Sequence, residues 1–371
     1  METLMKGRNE RDTALVPAPR IVSWNVTARC PLRCGHCYID ADEEPDDREL
    51  RTGQGKALID QLAAVGRPVL ILSGGEPLLR PDIYDLARYA TDAGLPVAMG
   101  TGGTLVTDDV AARLARAGVR KVAVSLDSVN PALHDMLRGV PGTWVRAVAG
   151  IEALRRRGID VQLNTTIGLW NMEELDSIVD FGMARGIRDY QCFFLVPTGR
   201  AQALGDLSPR AYESTIEHLL LAGRRPGIHL RPTCAPQFVR IASDMGLETA
   251  PWGRGCLAGI SYCRIDPTGA VTPCPYLPLS LGNVLEQPFA EIWYGSPVLA
   301  ALRDPDALGG RCGRCEFRAS CGGCRARAFG AARPGRGCGI RSAASAGPGT
   351  YLGEDPGCAY EPGAPVARVM P

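Results

Sequence analysis

Ile21-Val22-Ser23-Trp24-Asn25-Val26-Thr27-Ala28-Arg29-Cys30-Pro31-Leu32-Arg33-Cys34-Gly35-His36-Cys37 is the stretch from which the rest of this chain is read. Its first seven residues, rich in β-branched and aromatic side chains, form a strand-like run. Three cysteines follow at once, spaced CxxxCxxC. Iron–sulfur clusters take one thiolate per iron, so three thiolates under a four-iron cluster leave one iron open to a small molecule. Zinc is the alternative. Zinc sites are usually closed by four ligands drawn from paired CxxC or CxxC…HxxxH spacings. Here no fourth cysteine is near, and His36 is wedged between two cysteines.

The bulk properties narrow the function classes. With 371 residues, the chain can build a barrel-sized domain and a smaller one. A hydrophobic fraction of 45% and a charged fraction of 22% read as a soluble globular protein. The net charge of +1 gives no electrostatic case for nucleic acid or an anionic membrane. There is no run of about 18 apolar residues to span a bilayer, and the Arg-, Glu- and Pro-bearing N-terminus lacks the apolar core of a signal peptide. A cytoplasmic location is expected, where thiols stay reduced and structural disulfides are rare. Fourteen cysteines in that compartment ask for metal or cluster ligation.

Outward from the opening strand, strand-like stretches at 21–27, 69–73, 95–100, 119–126, 159–167 and 188–196 alternate with amphipathic stretches at 55–65, 82–93, 108–117, 144–157, 173–185 and 209–222. Six β–α units in series predict a parallel sheet with right-handed crossovers. Six fall short of the eight that close a TIM barrel, so an α/β fold with an open, partial (β/α)6 barrel is expected, binding its ligand at the carboxyl ends of the strands. Beyond residue 230 periodicity fades, and Pro, Gly and Cys rise. Ten of the fourteen cysteines lie from Cys234 onward, which reads as a small domain organised by metal clusters rather than by a large apolar core. The expected division is a tail at 1–19, the barrel at 20–230 and the cysteine-rich domain at 231–371. The stretch 331–349, rich in Gly, Ala, Pro and Arg, reads as a loop.

The triplet Cys30, Cys34 and Cys37, together with Ser73-Gly74-Gly75-Glu76-Pro77 after the second strand, resembles the radical S-adenosylmethionine (SAM) enzymes over nearly the whole chain. The resemblance implies a [4Fe-4S] cluster on the three cysteines as the catalytic centre, with SAM on its open iron. One electron cleaves SAM to methionine and a 5′-deoxyadenosyl radical, which abstracts hydrogen from an unactivated C–H bond. On this reading Gly74 and Gly75 let backbone approach the methionine amino group, and Glu76 is a negative partner for that ammonium. His36 holds the position where the family sets a ring against adenine. Ser125 and Asp127, after the fourth strand, lie by the SAM ribose and carboxylate, although an Asp after a strand is equally a helix cap. Thr165 and Thr166, on the fifth strand, point near the same ligand. Where many relatives carry Thr-Asn-Gly after the third strand, this chain has Thr101-Gly102-Gly103.

The C-terminal cysteines resemble the SPASM extension, which holds two auxiliary [4Fe-4S] clusters. By that resemblance Cys256, Cys263, Cys274 and Cys324 hold the first, and Cys312, Cys315, Cys321 and Cys358 the second. Gly269 stands five residues before Cys274, as in that motif. Two departures are visible: Cys321 and Cys324 are separated by two residues rather than three, and Cys338 competes with Cys358 as the eighth ligand. Two zinc ribbons are the alternative. Cys192 reads as a buried small hydrophobe. Cys234, at the domain junction, is a candidate to touch substrate or a metal.

The segments 68–81, 193–200, 231–240, 256–278 and 321–327 resemble the heme biosynthesis branch of these enzymes, the type that decarboxylates iron-coproporphyrin III to heme b. That implies a small tetrapyrrole substrate, a reductant such as flavodoxin or ferredoxin, and cationic partners for propionates, with Arg200 and Arg231 as candidates. One alternative is a SPASM maturase of a ribosomally made peptide. Many of these carry an N-terminal recognition domain of about 80 residues, whereas only about twenty residues precede the first strand here. A non-enzymatic iron–sulfur electron carrier is the second alternative. It needs no SAM pocket, so the GGEP and ribose segments count against it.

Overall fold

The computed structural model describes residues 16–248, 253–332, 341–342 and 351–363. All six expected strands form, as β1 Ile21–Asn25, β2 Val69–Ser73, β3 Val97–Thr101, β4 Lys121–Ser125, β5 Asp160–Ile167 and β6 Asp189–Phe194. They lie side by side in chain order, all parallel. A seventh strand, β7 His229–Thr233, extends the row beyond β6. It carries Pro232, which lacks a backbone donor, and it takes the edge of the sheet, where proline is tolerated. The crossovers are α1 Thr52–Val65, α2 Ile83–Asp92, α3 Asp108–Arg116, the pair α4 Pro131–Arg138 and α5 Thr143–Arg156, α6 Leu175–Met183, and α7 Pro209–Ala222.

Helix α4 is absent from the sequence expectation. Its signal was Asn130-Pro131: the Asn side chain caps the backbone of Ala132 and Leu133, and Pro opens the helix.

The C-terminal region is woven into the same sheet. After α8 Phe238–Asp244, β8 Tyr262–Ile265 pairs in parallel with the free side of β1, with Ile21 opposite Tyr262. β9 Ala270–Thr272 turns back antiparallel to β8, and β11 Gly282–Asn283 completes the row beside β9, while β10 Leu279–Ser280 pairs with β12 Arg341–Ser342. Helices α9 Phe289–Gly295, α10 Pro297–Arg303, α11 Gly310–Arg314 and α12 Arg325–Ala331 follow. The sheet is therefore open, with β7 and β11 at its edges. Strand β7 crosses the expected boundary at 230/231, and β8 comes from beyond it.

Period-two alternation divides the sheet into two faces. Val22, Trp24, Leu70, Leu72, Val122, Val124 and Leu163 pack beneath the helices and are fully or almost fully buried. The other face is polar and carries Ser73, Ser125, Gln162, Asn164, Gln191 and Thr233, all half-buried. Trp24 is among the largest fully buried side chains, with the Arg80 guanidinium 5.5 Å from its ring. A Cβ on Gly55 would come within 2.7 Å of its ring, so α1 can approach β1 only with glycine there. No helix among the described residues is long and apolar enough to cross a membrane.

Trp24→Ala should open a cavity under α1 that the surroundings cannot refill. Chemical denaturation of the protein is expected to show a loss of about 3–5 kcal/mol, and a loss below about 1 kcal/mol would show that this part of the core is loosely packed.

Candidate active site and iron–sulfur ligands

The cysteine loop leaves β1 and docks on the far end of α4. Arg33 and Gly35 donate their backbone N–H groups to the carbonyls of Arg138 and Leu137, each at 3.0 Å. The chain can come this close because Gly139 sits at φ +72°, where a Cβ would lie 2.6 Å from the Arg33 carbonyl oxygen. From the opposite side, Arg200 donates through its backbone N–H to the Cys37 carbonyl and through Nε to the Cys34 carbonyl, both at 2.9 Å, and through Nη1 to the Ala41 carbonyl at 3.0 Å. Arg200, expected as a propionate partner, clamps the cysteine loop through its backbone N–H, Nε and Nη1.

The donor set suits a cluster. Cys30 and Cys34 are buried and Cys37 half-buried, and the three thiols lie within electrostatic reach of one another. Burial pushes the Cys30 thiol up to about 12 and raises Cys34 as well, although Arg138 counteracts the latter. Bare, these thiols hold their protons, and a bound cation displaces them as it takes thiolate ligands. One thiolate per iron asks for thiols spread around a cluster.

The Gly-Gly-Glu-Pro segment packs directly on this loop. A Cβ on Gly74, at φ +147°, would lie 2.4 Å from the Thr27 carbonyl oxygen, and one on Gly75 would lie 2.3 Å from that of Arg29. Gly75 and Glu76 donate their N–H groups to those same carbonyls at 2.9 and 2.7 Å. The two glycines thus seat the segment between β1 and Cys30, beside the close approach to the methionine amino group that the family resemblance implies. The buried Glu76 carboxylate accepts from the Thr101 hydroxyl at 2.9 and 2.8 Å, from the Gly102 N–H at 3.0 Å and from the Leu78 N–H at 3.2 Å. One Thr101 hydroxyl hydrogen and two backbone N–H groups leave part of the carboxylate's roughly four lone-pair sites unused, so Glu76 retains acceptor capacity and ties β2 to the end of β3. Thr101 and the Gly102 backbone do this without the asparagine that this chain lacks.

Asp127, fully buried just past β4, is the charged hub of the site. Its Oδ2 meets Arg138 Nη2 at 2.7 Å and His36 Nε2 at 3.6 Å, and its Oδ1 accepts from the Thr166 backbone N–H at 2.9 Å. Burial opposes its charge, but Arg138, His36 and His134 together hold its carboxyl below the usual range. It is not the helix cap, since Asn130 fills that role. Arg138 continues to Cys34 Sγ at 3.7 Å, so one guanidinium joins the cysteine loop to the end of β4. His36 stacks on Trp170, with centroids 6.4 Å apart and planes 20° apart, and burial drops it to about 4. Ser125 and Thr166 stand on the polar face nearby, whereas Thr165 is buried and donates to the Leu126 carbonyl at 2.7 Å. Arg138 and Trp170 escaped the sequence reading because neither belongs to a motif. Proximity in the fold alone recruits them.

The polar face continues as a ladder in which Gln162 donates to Asn164 and Gln191, and Gln191 donates to Thr233. Arg231 shares this face of β7 with Thr233 and donates from Nη2 to the Arg254 carbonyl at 3.3 Å. On the β1 side, Tyr262 Oη lies 2.5 Å from Ser23 Oγ, Arg264 Nε donates to Asn25 Oδ1 at 3.2 Å, and the Tyr38 and Tyr276 rings meet at 5.3 Å. These tyrosines and Arg264 went unread for the same reason as Arg138.

The C-terminal cysteines separate into groups. Cys312, Cys315, Cys321 and Cys358 line one cavity, as expected for a single cluster. The Arg325 guanidinium and the Asp355 N–H both point to Cys312 Sγ, at 3.5 and 3.4 Å. Cys338 lies outside the described residues. Gly322 and Gly323, at φ +76° and +60°, turn the chain sharply between Cys321 and Cys324, which is how a two-residue spacer suffices. Cys256 and Cys274 lie near Cys324 and near Cys234. Cys263 does not join them: it is buried on the opposite face of β8, toward Arg303. Cys192 is buried in β6, as expected.

His134 allows a pH test. It is buried, its Nδ1 accepts from the Asp127 N–H at 3.2 Å, and burial first, then Arg138, lowers it to about 4 from an ordinary 6.5. Protonation therefore favours the unfolded chain, so this contribution is complete above pH 6.5 and is lost as pH falls toward 4. Between about pH 7.5 and about pH 5.5 the loss from this group alone should be about 1 kcal/mol. In denaturation curves His134→Gln, which keeps an acceptor but cannot titrate, should reduce the drop by that amount. An unchanged drop would refute the assignment.

Against known proteins, the pattern of the radical SAM superfamily matches residues 24–182 and that of the SPASM iron–sulfur cluster-binding domain matches residues 256–316. The chain is 41% identical to a protein named AdoMet-dependent heme synthase from Methanosarcina barkeri, over 94% of this chain and 99% of that one. It is 38% identical to another of that name from Oleidesulfovibrio alaskensis, over 93% and 88%. Its fold is similar to that of SuiB from Streptococcus suis, solved bound to S-adenosylmethionine, with a TM-score of 0.70 at 17% identity, covering 90% of this chain and 78% of that one. A cysteine triplet just after β1, a SAM-type motif seated on it and a cysteine-rich region built onto the same sheet agree with these likenesses, and the chain belongs to the radical SAM enzymes that carry a SPASM iron–sulfur domain, in their heme biosynthesis branch.

Proposed function

We propose that this enzyme oxidatively decarboxylates two propionates of iron-coproporphyrin III to vinyl groups. The observation that carries the reading is identity of 41% with an AdoMet-dependent heme synthase along 94% of the chain. When bound, SAM and its cluster supply the electron transfer and the radical that abstracts a hydrogen atom from the substrate. The chain's own part is binding, orientation and exclusion of water. Cys30, Cys34 and Cys37 hold the cluster on a loop fixed by Arg138 and Arg200. His36, stacked on Trp170, offers a flat apolar surface for adenine. Asp127 accepts from the Thr166 backbone and is ion-paired with Arg138, so it orders the ends of β4 and β5, where Ser125 and Thr166 offer hydroxyls to the ribose.

Propionates call for fork-shaped cationic partners. Arg231 faces the polar interior and, among the described residues, makes one hydrogen bond, to the Arg254 carbonyl, which leaves most of its donors for a ligand. Arg264, buried beside Tyr38 and Asn25, is a second inward-facing guanidinium. Removing a hydrogen atom and then carbon dioxide from a propionate leaves one further electron, which an auxiliary cluster can accept. That gives the C-terminal clusters a chemical role, with flavodoxin or ferredoxin as the outside reductant.

The reduced, reconstituted protein, supplied with SAM and iron-coproporphyrin III, should lose about 46 mass units per propionate (CO2 plus two hydrogens) with formation of 5′-deoxyadenosine. If coproheme neither binds nor stimulates SAM cleavage while a peptide does, the maturase reading replaces this one. Replacing Cys30, Cys34 and Cys37 together by Ala should abolish 5′-deoxyadenosine formation and leave iron bound at the other cysteines. Arg231→Ala should raise KM for coproheme about tenfold or more, the cost of a lost charge-assisted pair of about 1.5–3 kcal/mol, while SAM cleavage without substrate is unchanged. An unaltered KM would remove Arg231 from the substrate site.

A further inference from the structure

We propose that Cys234, with Cys256, Cys274 and Cys324, is the thiolate set of the first auxiliary cluster, and that Cys263 is a core residue. The inference rests on the reading above that the C-terminal cysteines hold iron–sulfur clusters, and it changes which of them do so.

The alternation of β8 settles where Cys263 points. Tyr262 and Arg264, its neighbours on either side, both face the barrel interior, one against Ser23 and the other against Asn25. Successive side chains of a strand point to opposite faces, so Cys263 faces outward. The parallel pairing of β8 with β1 sets Cys263 opposite Val22, itself a fully buried member of the helix-covered face. Cys263 is fully buried, and the charge near it is that of Arg303, which is held by the carbonyls of Gly259 and Trp293, each at 2.9 Å. To join a cluster with Cys256 and Cys274, its side chain would have to cross the sheet. A one-residue slip of β8 would bring it across, but would also send Tyr262 and Arg264 into the apolar layer.

Cys234 takes the vacated place. It follows directly on β7, on the interior side of the domain junction, and its thiol lies within electrostatic reach of Cys324, Cys274 and Cys256. Backbone contacts hold the four together. The Cys234 carbonyl accepts from Arg327 Nη2 at 2.9 Å, and Arg327 belongs to α12, whose N-cap is Cys324. Cys256 donates its backbone N–H to the Cys321 carbonyl at 3.0 Å, which sets it beside the same turn. Cys234 also sits at φ +60°, one of only three non-glycine residues at positive φ among the described residues. A cysteine in this left-handed conformation costs energy that glycine would avoid. Such strain persists where the surroundings require that side chain, and a ligand thiol is such a requirement.

The test compares wild type with Cys234→Gly, Cys234→Ala and Cys263→Ala after anaerobic reconstitution, by iron content and by electron paramagnetic resonance of the reduced proteins. Cys234→Gly cannot ligate, yet it suits the positive φ, so it guards against misfolding. The signal that responds to added SAM reports that the barrel and its cluster are intact. Both Cys234 variants should lose between about one and about four irons and change the resonance of a cluster that does not respond to SAM. Cys263→Ala should keep wild-type iron and spectrum. The proposal is overturned if the Cys234→Gly protein matches wild type in both, or if Cys263→Ala produces the same loss. The broader reading is judged separately by the wild type, which should hold about twelve irons. Stoichiometric zinc in place of iron there would sink that reading, and with it any cluster for Cys234 to hold.

Discussion

The buried contact between Asp127 and Arg138 is the interaction on which the site depends. Both side chains are withdrawn from water, and the pair is stable only because each has further partners: Thr166 for the carboxylate, Cys34 for the guanidinium. A buried ion pair adds little to stability by itself, but removing one member strands the other at a cost of about 3–5 kcal/mol. That asymmetry fixes geometry. The end of β4, the end of β5, the last turn of α4 and the cysteine loop can all satisfy this one pair in only one arrangement. Arg200 and the glycines at 74, 75 and 139 then close the loop from its remaining sides, through backbone contacts that a Cβ would block.

The same logic of shared elements governs the C-terminal region. It is not an appendage, because β8 is hydrogen-bonded to β1 and so lies in register with the strand that leads into the first cysteine triplet. Tyr38 follows that triplet directly and its ring meets Tyr276, two residues beyond Cys274. Aromatic rings, Arg264 and the polar ladder of β5 to β7 therefore share one side of the sheet with residues that flank the first cluster loop.

Much of this was legible from the chain alone, because the signals were contiguous. The six strands of the barrel, the cysteine triplet, the Gly-Gly-Glu-Pro segment and the cavity-lining set of Cys312, Cys315, Cys321 and Cys358 each depend on local spacing or on period-two and helical patterns. Helix α4 was legible too, in Asn130-Pro131, and was passed over. Strands β7 and β8 were harder: β8 is short, and β7 carries a proline that argues against a strand unless it lies at an edge.

What only the tertiary structure decided concerns side chains whose partners are far away in sequence. Arg200 and Arg231 look alike in the chain; one grips carbonyls 159 and 166 residues upstream, and the other faces the interior. Arg138 and Trp170 become part of the site only because crossovers return them to it. Cys263 and Cys234 differ most of all. The SPASM resemblance gave Cys263 a cluster and left Cys234 a junction candidate, but the register of β8 against β1 turns the Cys263 thiol outward, and Cys234 follows β7 within electrostatic reach of Cys256, Cys274 and Cys324. Sequence by itself determined the fold class and the chemistry of the first cysteine site, because residue types at short spacing carry that information. Which thiols and guanidiniums face the interior was decided by strand pairing and sheet face, because a strand's two faces differ by a single residue of register, which no local pattern records.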